Sequence, residues 1–226
     1  MRRSVINRKI KTGIEFLKQM NYKAPPFIHW TPEEWAEKGS EYNEIRDCML
    51  GWDITDFGTN DFDKTGLLVI TVRNGIKEND EYQKPYAEKC LIVQDGQITP
   101  MHFHYFKMED IINRGSADVL IELFNATDDE QLADTDVLAY IDGRRFYVPA
   151  GTVLRLKPGE SITLPPYQYH KFWAEGCMAL ITEVSTVNDD NIDNRFLTAP
   201  ARFPSIIEDE PAEYLLFNEY PKEKRK

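Results

Sequence analysis

The chain has 226 residues, 42% of them apolar, and a formal net charge of −11 with a sequence pI of about 4.9. That length fits one large domain with terminal additions better than two, and the apolar share supports a packed core rather than a disordered chain. The acidic balance is a poor match to nucleic acid, whose binders carry a basic face, and no apolar run approaches the roughly 20 residues that cross a bilayer.

The first elements read as helical. Ile6, Ile10, Ile14, Leu17 and Met20 recur at three- and four-residue steps and predict an amphipathic helix over residues 5–20, with Arg8, Lys9, Lys11, Glu15 and Lys18 on its solvated face. Met1 to Ile6 has charge but no apolar segment behind it, so neither a secretory signal nor, given Glu15 and the capped helices that follow, a transit peptide is expected. Thr31-Pro32-Glu33-Glu34 announces a second helix: Thr31 as N-cap, Pro32 in the first turn, Glu34 closing a capping box. Trp30 and Trp35 are expected to pin that helix to the body of the domain. His29, just before it, is a candidate for either a structural or a substrate-binding role. Ser40 to Leu50 reads as a third helix ended by Gly51, and Trp52 to Lys64 as loop.

From Gly66 the period changes from helical to extended. Short β-branched or apolar runs follow at Leu67–Val72, Cys90–Val93, Val119–Phe124, Val137–Ile141, Arg144–Val148, Thr152–Leu156, Ser161–Leu164, Tyr169–Trp173 and Met178–Val184. Asn74-Gly75 and Pro158-Gly159 mark turns, and Asp95-Gly96 and Asp142-Gly143 are hairpin dipeptides. Strands at this spacing predict a mainly β fold, a sandwich or barrel. The expected organisation is a single domain: a helical arm over 1–52, a barrel core over 66–186 and an irregular C-terminal loop and tail over 187–226. Cys48, Cys90 and Cys177 are odd in number and form no Cys-x-x-Cys pair, so they read as reduced thiols of a cytoplasmic protein.

The stretch from Gly96 to Glu109 carries the chemistry. The chain has four histidines, and three of them are His102, His104 and His170. Two apart on a strand, His102 and His104 point to one face. Glu109 follows five residues later, within reach of the same cavity around a bend. Three imidazoles and a carboxylate make a mixed nitrogen and oxygen set suited to a borderline divalent ion such as manganese, iron, zinc or nickel. The alternative is two histidines packed in a barrel wall and an unrelated third.

These residues match a family pattern. Gly96-x5-His102-x-His104-x4-Glu109-x5-Gly115 resembles the first cupin motif, and Gly159-x5-Pro165-x4-His170 the second, with Tyr167 where cupins usually have glycine. That resemblance implies a cupin-type jelly-roll barrel with a metal site, but cupins span oxygenases, isomerases and binding proteins, so it leaves the chemistry open. The runs Thr99 to Gly115 and Glu183 to Phe196 resemble more narrowly the D-lyxose ketol-isomerases, and the likeness extends through Phe27-Ile28-His29-Trp30-Thr31. The narrower resemblance implies a divalent ion, manganese in the first place with iron, zinc, cobalt or nickel as alternatives, held by His102, His104, Glu109 and His170. It also implies interconversion of D-lyxose with D-xylulose and of D-mannose with D-fructose, in a homodimer whose partner molecule is a small pentose or hexose. An iron-dependent cupin oxygenase and a non-catalytic sugar-binding cupin are the competing readings.

Aldose–ketose isomerisation through an enediol needs a base for the C2 proton and a positive group for the enediolate; a hydride shift over the metal is the competing mechanism. Glu183, at the end of the apolar strand Met178 to Thr182, is the first candidate base; its alternative is a salt-bridge partner, since an unpaired buried carboxylate is costly. Lys107, near the bend of the histidine strand, is a candidate to stabilise the oxyanion, or else a solvated lysine. Asp190, Asp193 and Arg195 lie in a polar loop where sugar hydroxyls would find partners. Phe103, Tyr167, Tyr169 and Trp173 are candidates for the pocket wall, although aromatic residues in a barrel are more often core.

Overall fold

The computed structural model describes residues 1–198, 202–203 and 205–221. The end of the expected C-terminal tail, Lys222 to Lys226, lies outside the described residues. Three α-helices precede the strands: α1 (Arg3–Gln19), α2 (Pro32–Ala36) and α3 (Asn43–Asp47). The strands are β1 (Gly51–Thr55), β2 (Leu67–Arg73), β3 (Tyr86–Val93), β4 (Ile98–His104), β5 (Glu109–Gly115), β6 (Asp118–Asn125), β7 (Val137–Ile141), β8 (Arg144–Val148), β9 (Thr152–Leu156), β10 (Ser161–Leu164), β11 (Gln168–Glu175), β12 (Ala179–Thr186) and β13 (Asn194–Phe196). They form two antiparallel sheets, ordered β1-β2-β3-β12-β5-β10-β7-β8 and β13-β4-β11-β6-β9. This is the mainly β barrel that the strand spacing predicts.

Between the sheets lies a core of aliphatic residues from both, including Val69, Leu91, Ile111, Ile121, Leu123, Leu156, Ile162 and Ile181. The arm covers the outer face of the larger sheet. Ile6, Ile10, Ile14 and Leu17 of α1 pack on Leu68, Ile70, Cys90, Ile92 and Leu180, so the three- and four-residue spacing is the contact stripe itself. Gly13 permits that approach: a Cβ there would lie 2.8 Å from Leu68 Cδ2. The capping box forms as expected, with the Thr31 amide donating to Glu34 and the Glu34 amide to the Thr31 hydroxyl. Trp35, however, stacks on Tyr220 of the C-terminal segment at 3.9 Å between ring centroids, with Phe217 beside it. The tryptophan therefore pins α2 to the tail rather than to the barrel. Trp52 makes the link to the barrel, its indole N–H donating 2.7 Å to the Ile28 carbonyl.

Three local expectations are corrected. The third helix is shorter than Ser40 to Leu50: a single 3₁₀ turn at Ser40–Tyr42 leads into α3. Trp52 to Thr55 is not loop but most of β1, the edge of the larger sheet. Its large apolar residues, Trp52 and Ile54, face the arm, while Asp53 is also buried, so both faces are covered. Asp95-Gly96 makes a tight turn but no hairpin. It carries the chain from β3 in one sheet to β4 in the other. At Asp142-Gly143 the hairpin does form between β7 and β8, with φ of 47° and 77° at the two turn residues, as a mirror-image turn requires.

Candidate active site

β4 and β11 lie side by side with His102 paired directly to His170, and period two adds His104 to the same inward face. Nitrogens of the three rings lie within 4.8 Å of one another and all three residues are buried. Glu109, the first residue of β5, enters from the opposite sheet. Its carboxylate oxygens stand 3.1 Å from His170 Nε2 and 3.5 Å from His104 Nε2.

The connection between His104 and Glu109 is held from behind. Asp193 accepts from the Phe106 amide at 2.7 Å and the Lys107 amide at 3.2 Å. This bend turns Lys107 inward, where its side chain is only 2% exposed. Its ammonium stands 2.6 Å from Glu109 Oε2 and 2.8 Å from Glu183 Oε1. Glu183 comes from the middle of β12, flanked by Ile111 of β5 and Lys89 of β3, and Lys89 Nζ lies 3.8 Å from the same oxygen. Lys89 also donates to Asn188 at 2.7 Å and contacts Asp190. Asn188 is fixed in turn by Asn74, which exchanges two hydrogen bonds with its backbone.

The charges are consequences of this packing. Burial, then the neighbouring rings of His170 and His104, holds the His102 imidazolium well below the usual histidine range. Burial and the Lys107 ammonium lower His104 likewise, so both rings are neutral and able to ligate. Burial alone would raise the Glu109 carboxyl, but Lys107 and His104 override it and hold it well below the carboxylate range. Burial would lower the Lys107 ammonium, but Glu109, Glu183 and Asp190 override it and raise the pKa. Asp190 is held ionised against burial by Lys89 and Arg202.

The residues fit a divalent cation. His102 and His170 turn Nδ1 to backbone carbonyls, of Pro100 at 2.8 Å and Gln168 at 3.0 Å. Donation there fixes the tautomer and leaves each Nε2 with a lone pair. His170 Nε2 and both ring nitrogens of His104 are buried without a hydrogen-bond partner. Leaving such groups unsatisfied costs about 1–3 kcal/mol each, an expense that a bound ion removes for one nitrogen of each ring. Three neutral nitrogens beside an anionic oxygen form a borderline donor set.

The sequence-derived site residues separate into two groups. His102, His104, Lys107, Glu109, Glu183 and Asp190 line one narrow cavity, with His170 buried against Glu109. Asp193 is buried behind the Lys107 bend, 3.6 Å from His104 Nδ1. The others stand away from the cavity. Phe103 lies between the two histidines in sequence, so the same period two turns it to the opposite face, where it packs with Met101 and Tyr169. Tyr167 is about half exposed, with its ring beside Phe103 and Tyr105. Trp173 shares the outward face of β11 with Lys171, whose ammonium lies 5.6 Å from its ring centroid. Arg195 pairs with Glu130 at 2.6 Å, and His29 is exposed on a 3₁₀ turn of the arm.

Sequence reasoning missed Lys89, Thr99, Asn194, Phe196 and Arg202, all in the cavity wall. Only Lys89 left a signal, a lysine leading directly into the apolar run of β3, where burial demands a counter-charge. Arg202 reaches the cavity from beyond β13, and its guanidinium pairs with Asp53 and Asp190.

The chain resembles known proteins over nearly its whole length. A family model described as D-lyxose isomerase matches residues 1–220. The chain is 48% identical over 223 residues to a D-lyxose/D-mannose isomerase of Escherichia coli O157:H7, covering 97% of this chain and 98% of that protein. It is 45% identical, with the same coverage, to a D-lyxose/D-mannose isomerase of Serratia proteamaculans. Among solved structures, the L-ribose isomerase of Acinetobacter sp. DL28 in complex with L-ribose superposes with a TM-score of 0.58 at 14% identity, over 89% of this chain and 96% of that one. At that identity the superposition speaks for the cupin fold alone. Near-complete coverage at almost half identity decides the family: the chain belongs to the D-lyxose isomerases and is a sugar isomerase.

Proposed function

We propose that this isomerase interconverts D-lyxose with D-xylulose, and D-mannose with D-fructose, through a cis-enediol. The observation that carries the proposal is the Lys107 ammonium clasped between Glu109 and Glu183 beside three buried imidazoles. His102, His104, His170 and Glu109 would hold a divalent ion, manganese in the first place. When bound, that ion supplies Lewis-acid polarisation of the substrate carbonyl and neighbouring hydroxyl.

The remaining work falls to the chain's own side chains. Glu183 takes the proton from C2 and returns it to C1, acting as base and then as acid. It stands between two lysines, with Lys107 Nζ at 2.8 Å and Lys89 Nζ at 3.8 Å from the same oxygen. Lys107, kept charged by its carboxylates, donates to the substrate oxygen on which negative charge develops. The hydroxyl proton passes from O2 to O1, which are adjacent in a cis-enediol. Phe172 and Phe196 supply apolar wall, which strengthens these charge interactions by lowering the local dielectric. The same configuration at C2, C3 and C4 in D-lyxose and D-mannose explains one site serving both sugars.

The test is turnover of both aldoses by chelated and manganese-reloaded protein, with metal content measured alongside. Metal-dependent ketose formation from both is the expected result; no ketose from either refutes the proposal. The protein is further expected to act in the cytoplasm as a homodimer, and sedimentation at twice the chain mass is the measurement for the latter.

A further inference from the structure

β4 carries one more residue than β11 between two of their pairs. His102 pairs with His170, but three residues earlier Thr99 pairs with Phe172, only two residues from His170. This bulge reverses the alternation. Without it, an odd-numbered residue of β4 would face outward with Phe103; with it, Thr99 faces the cavity together with His102. Its hydroxyl is buried with no hydrogen-bond partner. Three residues of β4 span the two strand steps of β11 between His170 and Phe172, which sets Thr99 about 7 Å along the sheet from His102.

Arg202 shows the same unfinished bonding on the same cavity. Its Nη2 pairs with Asp53 and Asp190, and the Thr55 hydroxyl donates to its backbone carbonyl. Arg202 thus ties β1, the edge of one sheet, to the segment following β13, the edge of the other. Its Nη1 is buried without a partner.

Resting on the sugar-isomerase reading above, we infer that Thr99 and Arg202 form a distal subsite that recognises a hydroxyl of the substrate at C4 or C5, away from the reacting carbons. A hydroxyl suits the pair: it accepts from the guanidinium and either donates to or accepts from the threonine. A phosphate does not suit it, because the guanidinium already faces two carboxylates that would repel an anion. The pair therefore selects neutral, unphosphorylated sugars by a hydroxyl at C4 or C5. Its place in the reaction is positioning: anchoring the tail sets C1 and C2 against Glu183.

The test crosses protein variants with substrates lacking one hydroxyl. Thr99→Val is nearly isosteric, and Arg202→Lys keeps a cation for Asp53 and Asp190 while removing the fork. On D-lyxose, kcat/KM should fall about tenfold for Thr99→Val and about thirtyfold for Arg202→Lys, the worth of a neutral and a charge-assisted hydrogen bond. On either the 4-deoxy or the 5-deoxy sugar, the same one for both variants, they should match the wild type within about twofold. Equal losses on complete and deoxy sugars, for either variant, overturn the subsite. The same cycle is run in binding by calorimetry, with D-arabinitol (the alditol of D-lyxose) and its deoxy analogues. Binding coupling without wild-type turnover would refute the isomerase reading and keep the subsite, whereas turnover without coupling would do the reverse.

Discussion

Replacing Lys107 by methionine removes the cation that, among the described residues, touches both Glu109 and Glu183. Lys107 and Glu109 are each 2% exposed in their side chains and Glu183 is 6% exposed, so solvent screens little of the loss. Breaking a buried ion pair costs about 3–5 kcal/mol, a large part of the roughly 5–15 kcal/mol that holds a domain folded. At about 2–4 °C per kcal/mol for a chain of this size, the metal-free variant should melt about 6–20 °C below the metal-free wild type. The pH dependence has a definite sign. In the wild type the Glu109 carboxyl is depressed, so its stabilisation is full above the unfolded carboxylate pKa and lost as pH falls through the folded value. Without Lys107 the burial of Glu109 is no longer offset by that ammonium, and protonation of the carboxylate relieves the lost pair. The gap between wild type and variant should therefore be widest near neutral pH and shrink at about pH 5. Calorimetric melts of both proteins in chelator at the two pH values measure it. A variant melting within about 2 °C of wild type near neutrality would refute the claim that Lys107 compensates these carboxylates.

Glu183→Gln should keep its bound metal and lose at least about a hundredfold in kcat, the usual worth of a general base; metal analysis with steady-state kinetics checks both, and near-normal turnover removes Glu183 from that role. His170→Ala should lose metal and activity together, because it deletes a ring whose Nε2 has no protein donor to satisfy it; full metal occupancy in an active variant would contradict the four-residue site. The metal-free wild type should lose stability as pH falls below about 6.5, the value for an unburied histidine, because His102 and His104 resist protonation in the fold while the unfolded chain takes the protons up. Chemical denaturation at stepped pH follows that loss.

Local periodicity made most of this molecule legible. The stripe of α1, the Thr31 box and the His102–His104 spacing are short-range patterns whose geometry follows from 3.6 and 2 residues per repeat. The same rule, applied further, would have turned Phe103 away from the cavity and Trp173 away from His170. Gly96 shows the limit of turn chemistry: its φ of +67° encodes a sharp reversal, but not which sheet receives the next strand. β1 was hidden because Asp53 and Thr55 are buried there by partners from beyond β13. Arg202 and Thr99 escaped for the same reason. One reaches the cavity from nearly 150 residues beyond Asp53, and the other depends on a bulge visible only in the pairing of two strands.

The mechanism is tested most directly by incubating manganese-loaded protein with D-lyxose in heavy water and following the ketose by NMR. Proton transfer by an accessible base predicts D-xylulose bearing deuterium at C1, formed only with metal present and at least about a hundredfold more slowly by Glu183→Gln. Ketose formed at an undiminished rate by Glu183→Gln, or no ketose from the loaded wild type, would contradict it.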